Sequence, residues 1–71
     1  LTTLVYAAAD ELTPKQKAVF ILRDLEGLTS DEVCETLSMT AGNVKSNLFH
    51  ARQKIAEKLK NKYQTTDKSF L

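Results

Sequence analysis

Few side chains in this sequence could do chemistry: one histidine, one cysteine and a pair of neighbouring acids. His50 could bind a metal or act as a general base, but no cysteine, histidine or carboxylate stands three or four residues from it. Cys34 falls on the inner face of a predicted helix, which favours packing over redox chemistry. Asp31 and Glu32 fall in the first turn of that helix, where acids commonly favour the helix dipole. We therefore predict no enzyme active site, metal centre or cofactor.

The charges of the 71-residue chain are divided between two regions, although the net charge is only +1. Residues 1–43 sum to −4 and residues 44–62 sum to +5. A basic segment joined to an acidic body suggests that the segment binds a polyanion such as DNA. A solvated helix face would show the same charge, so this alternative stays open. The apolar runs are shorter than the roughly 20 residues that cross a bilayer, which predicts no membrane insertion.

The single cysteine cannot form an internal disulfide, which favours the reducing environment of the cytoplasm. The sequence begins at Leu1 without a methionine or a secretion signal. We expect it to be a piece of a longer protein.

The first two helices are predicted from apolar spacing and from residues that favour helix ends. Residues 1–11 have helical apolar spacing. Thr13 and Gln16 form a capping-box pattern, and Pro14 stands at the first helical position. Gly27 stands where the second helix should end in a left-handed conformation.

The last two helices have the layout of a helix-turn-helix. Thr29 and Glu32 open a short third helix, which ends near Leu37. Thr40 caps a long basic helix that is predicted to run from Ala41 to about Lys62. In a helix-turn-helix the second helix of the pair enters a major groove of DNA. The sequence therefore predicts an all-α, small four-helix domain that contains a helix-turn-helix and lacks a wing.

The fourth helix has two distinct faces at about 100° per residue. Its apolar stripe consists of Val44, Leu48, Ala51, Ile55 and Leu59. The opposite side carries Gly42, Ser46, Phe49, His50 and Gln53, with Asn43 on one flank and Lys45 and Arg52 on the other. Polar side chains of these types can bind base edges, and an exposed Phe49 can contact a thymine methyl group. The lysines farther along the helix would meet the DNA backbone.

Several motifs in residues 12–59 resemble a known family. They are Leu12-Thr13-Pro14, Leu25-Glu26-Gly27-Leu28-Thr29, Gly42-Asn43-Val44-Lys45-Ser46-Asn47-Leu48 and Ala51-Arg52-Gln53-Lys54-Ile55. The segment resembles the C-terminal domain (region 4) of bacterial RNA polymerase sigma factors, especially those of the extracytoplasmic-function (ECF) type. The resemblance implies binding to the minus-thirty-five promoter element and docking on the flap of the polymerase β subunit. It also implies an anti-sigma factor as a further partner.

Position by position, the resemblance implies groove contacts from Lys45, Ser46, Phe49 and His50. Thr29 and Ser30 would touch phosphate. With the flanking residues added, the predicted DNA-binding set is Thr29, Ser30, Thr40, Asn43, Lys45, Ser46, Phe49, His50 and Arg52.

The sequence departs from the family pattern at four positions. Ser38 stands in place of a glycine, Asn43 in place of a threonine, and Asn47 and His50 in place of arginines. The loss of two cations predicts modest DNA affinity. Two other functions stay open: the output domain of a response regulator, and an adaptor of polymerase that no longer binds DNA.

The predicted organisation has three parts. Residues 1–12 form an N-terminal helix and link, residues 13–62 form the DNA-binding domain, and residues 63–71 form a loosely ordered tail.

Overall fold

The computed structural model describes the backbone of residues 2–70 and the side chains of residues 4–60. Its helices are α1 (Thr2–Ala9), α2 (Pro14–Phe20), α3 (Ser30–Leu37) and α4 (Ala41–Phe70). A π-helical turn, Ile21–Leu25, continues α2. The part of the chain that the structure describes contains no strand. The predicted all-α, four-helix fold is confirmed.

The helices begin where the capping residues predict. The Thr13 hydroxyl accepts a hydrogen bond from the Gln16 backbone N–H at 3.2 Å, and the Thr13 N–H donates to the Gln16 side chain at 3.3 Å. Thr29 and Glu32 form the same reciprocal pair at 3.2 and 2.8 Å. Thr40 accepts from the Asn43 N–H at 3.2 Å. These side chains satisfy N–H groups that lack a partner within the helix.

The second helix ends in a wider turn than the sequence pattern indicates. The Glu26 N–H donates to the Ile21 carbonyl at 2.8 Å, which is the five-residue spacing of a π-helix. Gly27 follows with φ +80°, so its predicted left-handed conformation is confirmed. The side chain of Arg23 donates to the Leu28 carbonyl at 3.2 Å and restrains the chain just before Thr29.

A tight turn joins α3 to α4. Ser38 lies in the left-handed region, with φ 54° and ψ 46°, and its N–H donates to the Cys34 carbonyl. The Met39 N–H also donates to that carbonyl, at 3.0 Å. Ser38 therefore stands at the position in the turn where a glycine would be least strained.

The core forms where α4 packs against α1, α2 and α3. Its buried residues are Ala8, Ala9, Leu12, Val19, Phe20, Val33, Val44, Leu48, Ala51 and Ile55. The predicted stripe of α4 is buried except Leu59, which is partly exposed and packs against this cluster. Cys34 is half-buried and also packs there, as its helical position predicts.

Two helix ends differ from prediction. The first helix ends at Ala9 and not near Glu11, because the N–H groups of Glu11 and Leu12 bond three residues back and tighten the chain. The backbone of α4 continues to Phe70, past the predicted end near Lys62. No proline or glycine follows Gly42 to stop it.

The prediction that residues 63–71 form a loosely ordered tail falls on residues whose side chains the structure does not describe, and it stays a prediction. Among the helices that the structure describes, none combines the length and apolar character that crossing a bilayer requires.

Candidate nucleic-acid interface

The candidate interface is the exposed side of α4 near its N-terminus, which we call the outer face: Asn43, Lys45, Ser46, Phe49 and His50. All five residues are exposed; Ser46, Phe49 and His50 lie opposite the buried stripe of the same helix, and Asn43 and Lys45 flank them. Phe49 is 57% exposed, which confirms that this aromatic residue is not part of the core. The outer face thus combines one cation, small polar groups and an apolar ring, a mixture that suits base edges better than phosphates alone.

The two rings of the outer face touch each other. The ring centroids of Phe49 and His50 lie 5.5 Å apart with an interplanar angle of 71°, an edge-to-face arrangement. The imidazole nitrogens and the phenyl face can therefore contact a ligand together.

The N-terminus of α3 is a poorer phosphate site than its position predicts. The Thr29 N–H is already bound by the Glu32 carboxylate, and Asp31 adds a second acid in the same turn. Hydrogen bonds from the Thr29 N–H and hydroxyl lower the pKa of Glu32, so this carboxylate is charged at neutral pH. Ser30 is exposed, and its hydroxyl can donate to a phosphate.

The N-terminus of α4 is better suited to an anion. Its first turn contains no acidic residue, and the Thr40 side chain accepts a hydrogen bond from only one N–H there, that of Asn43. Free N–H groups and the positive end of the helix dipole favour phosphate.

Arg52 forms an ion pair with Asp24 in this structure. Its Nε donates to Oδ2 of Asp24 at 2.7 Å, and its Nη2 donates to Oδ1 at 2.6 Å. The hydrogen bonds to Asp24 raise the pKa of Arg52. Of the predicted binding residues, Arg52 is the one that the fold engages with another helix. Only the tertiary structure brings Asp24 to it.

Asn47, which stands in place of an arginine of the family pattern, turns back onto its own helix. Its Nδ2 donates to the Asn43 carbonyl at 2.8 Å, and the residue is partly buried. Because asparagine is also uncharged, this position presents no cation to DNA.

An open cleft of about 420 Å³ lies beside the outer face. It is lined by Gln16, His50, Gln53, Lys54, Ala56 and Glu57. Gln53 is absent from the predicted site, although its helical position marked it as outward-facing. Gln16 could not have been found from the sequence, because only packing brings the start of α2 beside α4.

Two of the described lysines form ion pairs with acidic residues of the same domain. Lys17 contacts Asp10 and Lys58 contacts Glu11, each at 2.6 Å. Within residues 4–60, no ion pair involves Lys45 or Lys54. Within the same residues, no group of three histidine, cysteine or acidic side chains could hold a metal.

Comparison with known proteins gives a consistent result. Residues 2–55 match the family model described as "Sigma-70, region 4". An RNA polymerase sigma-E factor of Streptomyces antibioticus is 37% identical over 59 residues, which cover 83% of this chain and 33% of that protein.

Two further relatives match either over a shorter segment or at lower sequence identity. An ECF RNA polymerase sigma factor SigE of Mycolicibacterium smegmatis is 38% identical over 53 residues, 75% of this chain and 21% of that protein. An ECF RNA polymerase sigma-E factor of Haemophilus influenzae is 32% identical over 59 residues, 83% of this chain and 31% of that protein. The chain thus spans about a third or less of the relatives that it matches. No solved structure shows a significant match to it.

Proposed function

Because this chain belongs to the sigma-70 region 4 family, we propose that it is the promoter-reading domain of an ECF-type sigma factor. Its role is to bind the minus-thirty-five element during transcription initiation, as a binding module without catalytic activity. The observation that carries this proposal is the mixed, exposed outer face on a helix whose other side forms the core.

The proposed binding geometry places the N-terminal half of α4 in the major groove. Lys45, Ser46 and His50 donate to base edges or nearby phosphates, and Phe49 packs on a thymine methyl group. Thr40 and the first turn of α4 hold one phosphate, and Ser30 reaches the neighbouring backbone. Lys54 lies farther along α4 and adds affinity that does not depend on sequence.

The proposed partners besides DNA are proteins of the transcription machinery. Helices α1 and α2 dock on the flap of the polymerase β subunit. An anti-sigma factor holds the domain inactive. These interactions would occur in the bacterial cytoplasm, where polymerase acts.

A selection experiment tests DNA reading directly. The chain is used to enrich duplexes from a random library, and the enriched sequence is then titrated by fluorescence anisotropy. We expect Lys45→Ala and His50→Ala to weaken binding about fivefold to thirtyfold, corresponding to about 1–2 kcal/mol. Phe49→Ala should mainly reduce the preference for the enriched sequence over a scrambled one.

Lys17→Ala is the matched control, because it removes the same charge from a lysine that is paired with Asp10. The proposal is wrong if no sequence is enriched, or if Lys45→Ala behaves like Lys17→Ala. Binding of polymerase without any DNA affinity would favour the adaptor function.

A further inference from the structure

We propose that Arg52, held by Asp24, is a positioning residue that sets the rotation of α4 in the DNA groove and does not itself contact DNA. This inference rests on the proposed function. It assigns to Arg52 a role different from the DNA contact that its position in the sequence predicts.

The ion pair joins two elements that are distant in sequence. Asp24 lies in the π-helical turn after α2, and Arg52 lies on α4, 28 positions later. Two parallel hydrogen bonds of 2.7 and 2.6 Å connect the guanidinium to both carboxylate oxygens. This bidentate geometry restricts direction as well as distance.

The two side chains of the ion pair differ in solvent exposure. The Asp24 side chain is 22% exposed and the Arg52 side chain is 55% exposed. The carboxylate is therefore the more buried partner, and the arginine reaches across to it. The pair Lys58–Glu11 makes one contact between side chains that are both more than half exposed, so it restrains rotation less.

The position of Arg52 on α4 gives the ion pair control over the outer face. Arg52 follows Ala51, whose small side chain is fully buried in the core. Side-chain tips lie about 5–6 Å from a helix axis, so a rotation of about 20° would move them by about 2 Å. Lys45 stands seven positions earlier, about 10 Å along the axis. A shift of this size at Lys45 or Phe49 would misalign contacts with base edges.

The alternative is that Arg52 leaves Asp24 and binds a phosphate when DNA arrives. The two roles predict different salt dependence, because each neutralised phosphate contributes about −0.9 to the slope of log affinity against log salt. A positioning residue changes sequence discrimination and leaves that slope unchanged.

The test compares Arg52→Ala, Asp24→Asn, Lys45→Ala and the exchanged pair Asp24→Arg/Arg52→Asp in the full chain. Each variant is titrated with the enriched duplex and a scrambled duplex over a range of salt. For Arg52→Ala we expect the parent slope and a loss of discrimination of about tenfold. Lys45→Ala should make the negative slope shallower by about one. The exchanged pair should recover most of the discrimination between the enriched and scrambled duplexes. The discrimination of Asp24→Asn should be intermediate between that of the exchanged pair and that of Arg52→Ala. Circular dichroism identifies any variant that fails to fold.

Other results would overturn the proposal. If Arg52→Ala lowers the slope as Lys45→Ala does and the exchanged pair recovers nothing, Arg52 is a DNA contact and the proposed function stands. Unchanged discrimination in Arg52→Ala also contradicts a positioning role. If the parent chain itself shows no discrimination, the proposed function fails and this inference fails with it.

Discussion

Gly27 and Gly42 have different backbone conformations. Gly27 has φ +80° after the π-helical turn, whereas Gly42 lies within the first turn of α4. A Cβ atom would meet nothing within 4 Å at either position. The effect of adding a methyl group therefore comes from the backbone alone, and its sign should differ between the two sites.

We predict that Gly27→Ala destabilises the domain by about 1 kcal/mol, because alanine is strained in the left-handed region. Gly42→Ala should stabilise it by about 0.5–1 kcal/mol, because alanine loses less entropy in a helix. Urea titrations of both variants measure the difference. Changes of the same sign in both would contradict the conformations described for these glycines.

Ser38 illustrates a residue-scale departure from the family pattern. The sequence resemblance implies a glycine at this position of the turn, and the serine here adopts the left-handed conformation with φ 54°. The turn between α3 and α4 is therefore formed with some strain, which packing of both helices against the core offsets.

At the scale of elements, α2 and α3 begin with two capping boxes that differ in one chemical respect. The third residue is Gln16 in α2 and Glu32 in α3. Both side chains accept the capping residue's N–H, but only the glutamate titrates. The hydrogen bonds from Thr29 lower the pKa of Glu32 in the folded state. Its stabilising contribution is therefore complete above the unfolded pKa and is lost as the pH falls through the folded value.

We predict that Glu32→Gln reduces the loss of stability between about pH 5 and pH 3. Glutamine keeps the hydrogen bond and removes the proton uptake. Thermal melting of the parent and the variant across this range measures the effect. Gln16→Glu is the reciprocal variant and should make the acid loss steeper. Parallel pH profiles for parent and Glu32→Gln would show that the capping box does not contribute.

At the scale of the whole molecule, the fold partly neutralises the charge asymmetry in the sequence. The pairs Arg52–Asp24 and Lys58–Glu11 join the basic helix to the acidic body. Two of the cations on α4 are thus directed toward the protein. The charge that is available to DNA is smaller than the +5 of residues 44–62 suggests.

We predict a shallow salt dependence for DNA binding, with a slope of about −2 to −3, because few lysines reach phosphates. Lys54→Ala should make the negative slope shallower by about 0.9, and Lys58→Ala should leave the slope unchanged. Anisotropy titrations over a series of salt concentrations measure these slopes. A parent slope steeper than about −5 would require the paired cations to bind DNA and would contradict this view.

The sequence by itself determined the features that depend on neighbours within one or two turns. Thr13, Thr29 and Thr40 start helices, Gly27 ends one, and the period of α4 separates its buried stripe from its exposed outer face. These features could be predicted because capping bonds and helical spacing are local interactions.

Only the tertiary structure decided the features that join distant parts of the chain. The binding of Arg52 by Asp24 and the approach of Gln16 to His50 depend on how α2 and the π-helical turn after it pack against α4. The π-helical turn that carries Asp24 gave no clear signal in the sequence, since one extra residue in a turn hardly changes apolar spacing. The outer face was thus predictable from α4 alone. Which cations of α4 remain available to bind DNA depends on ion pairs between distant parts of the chain.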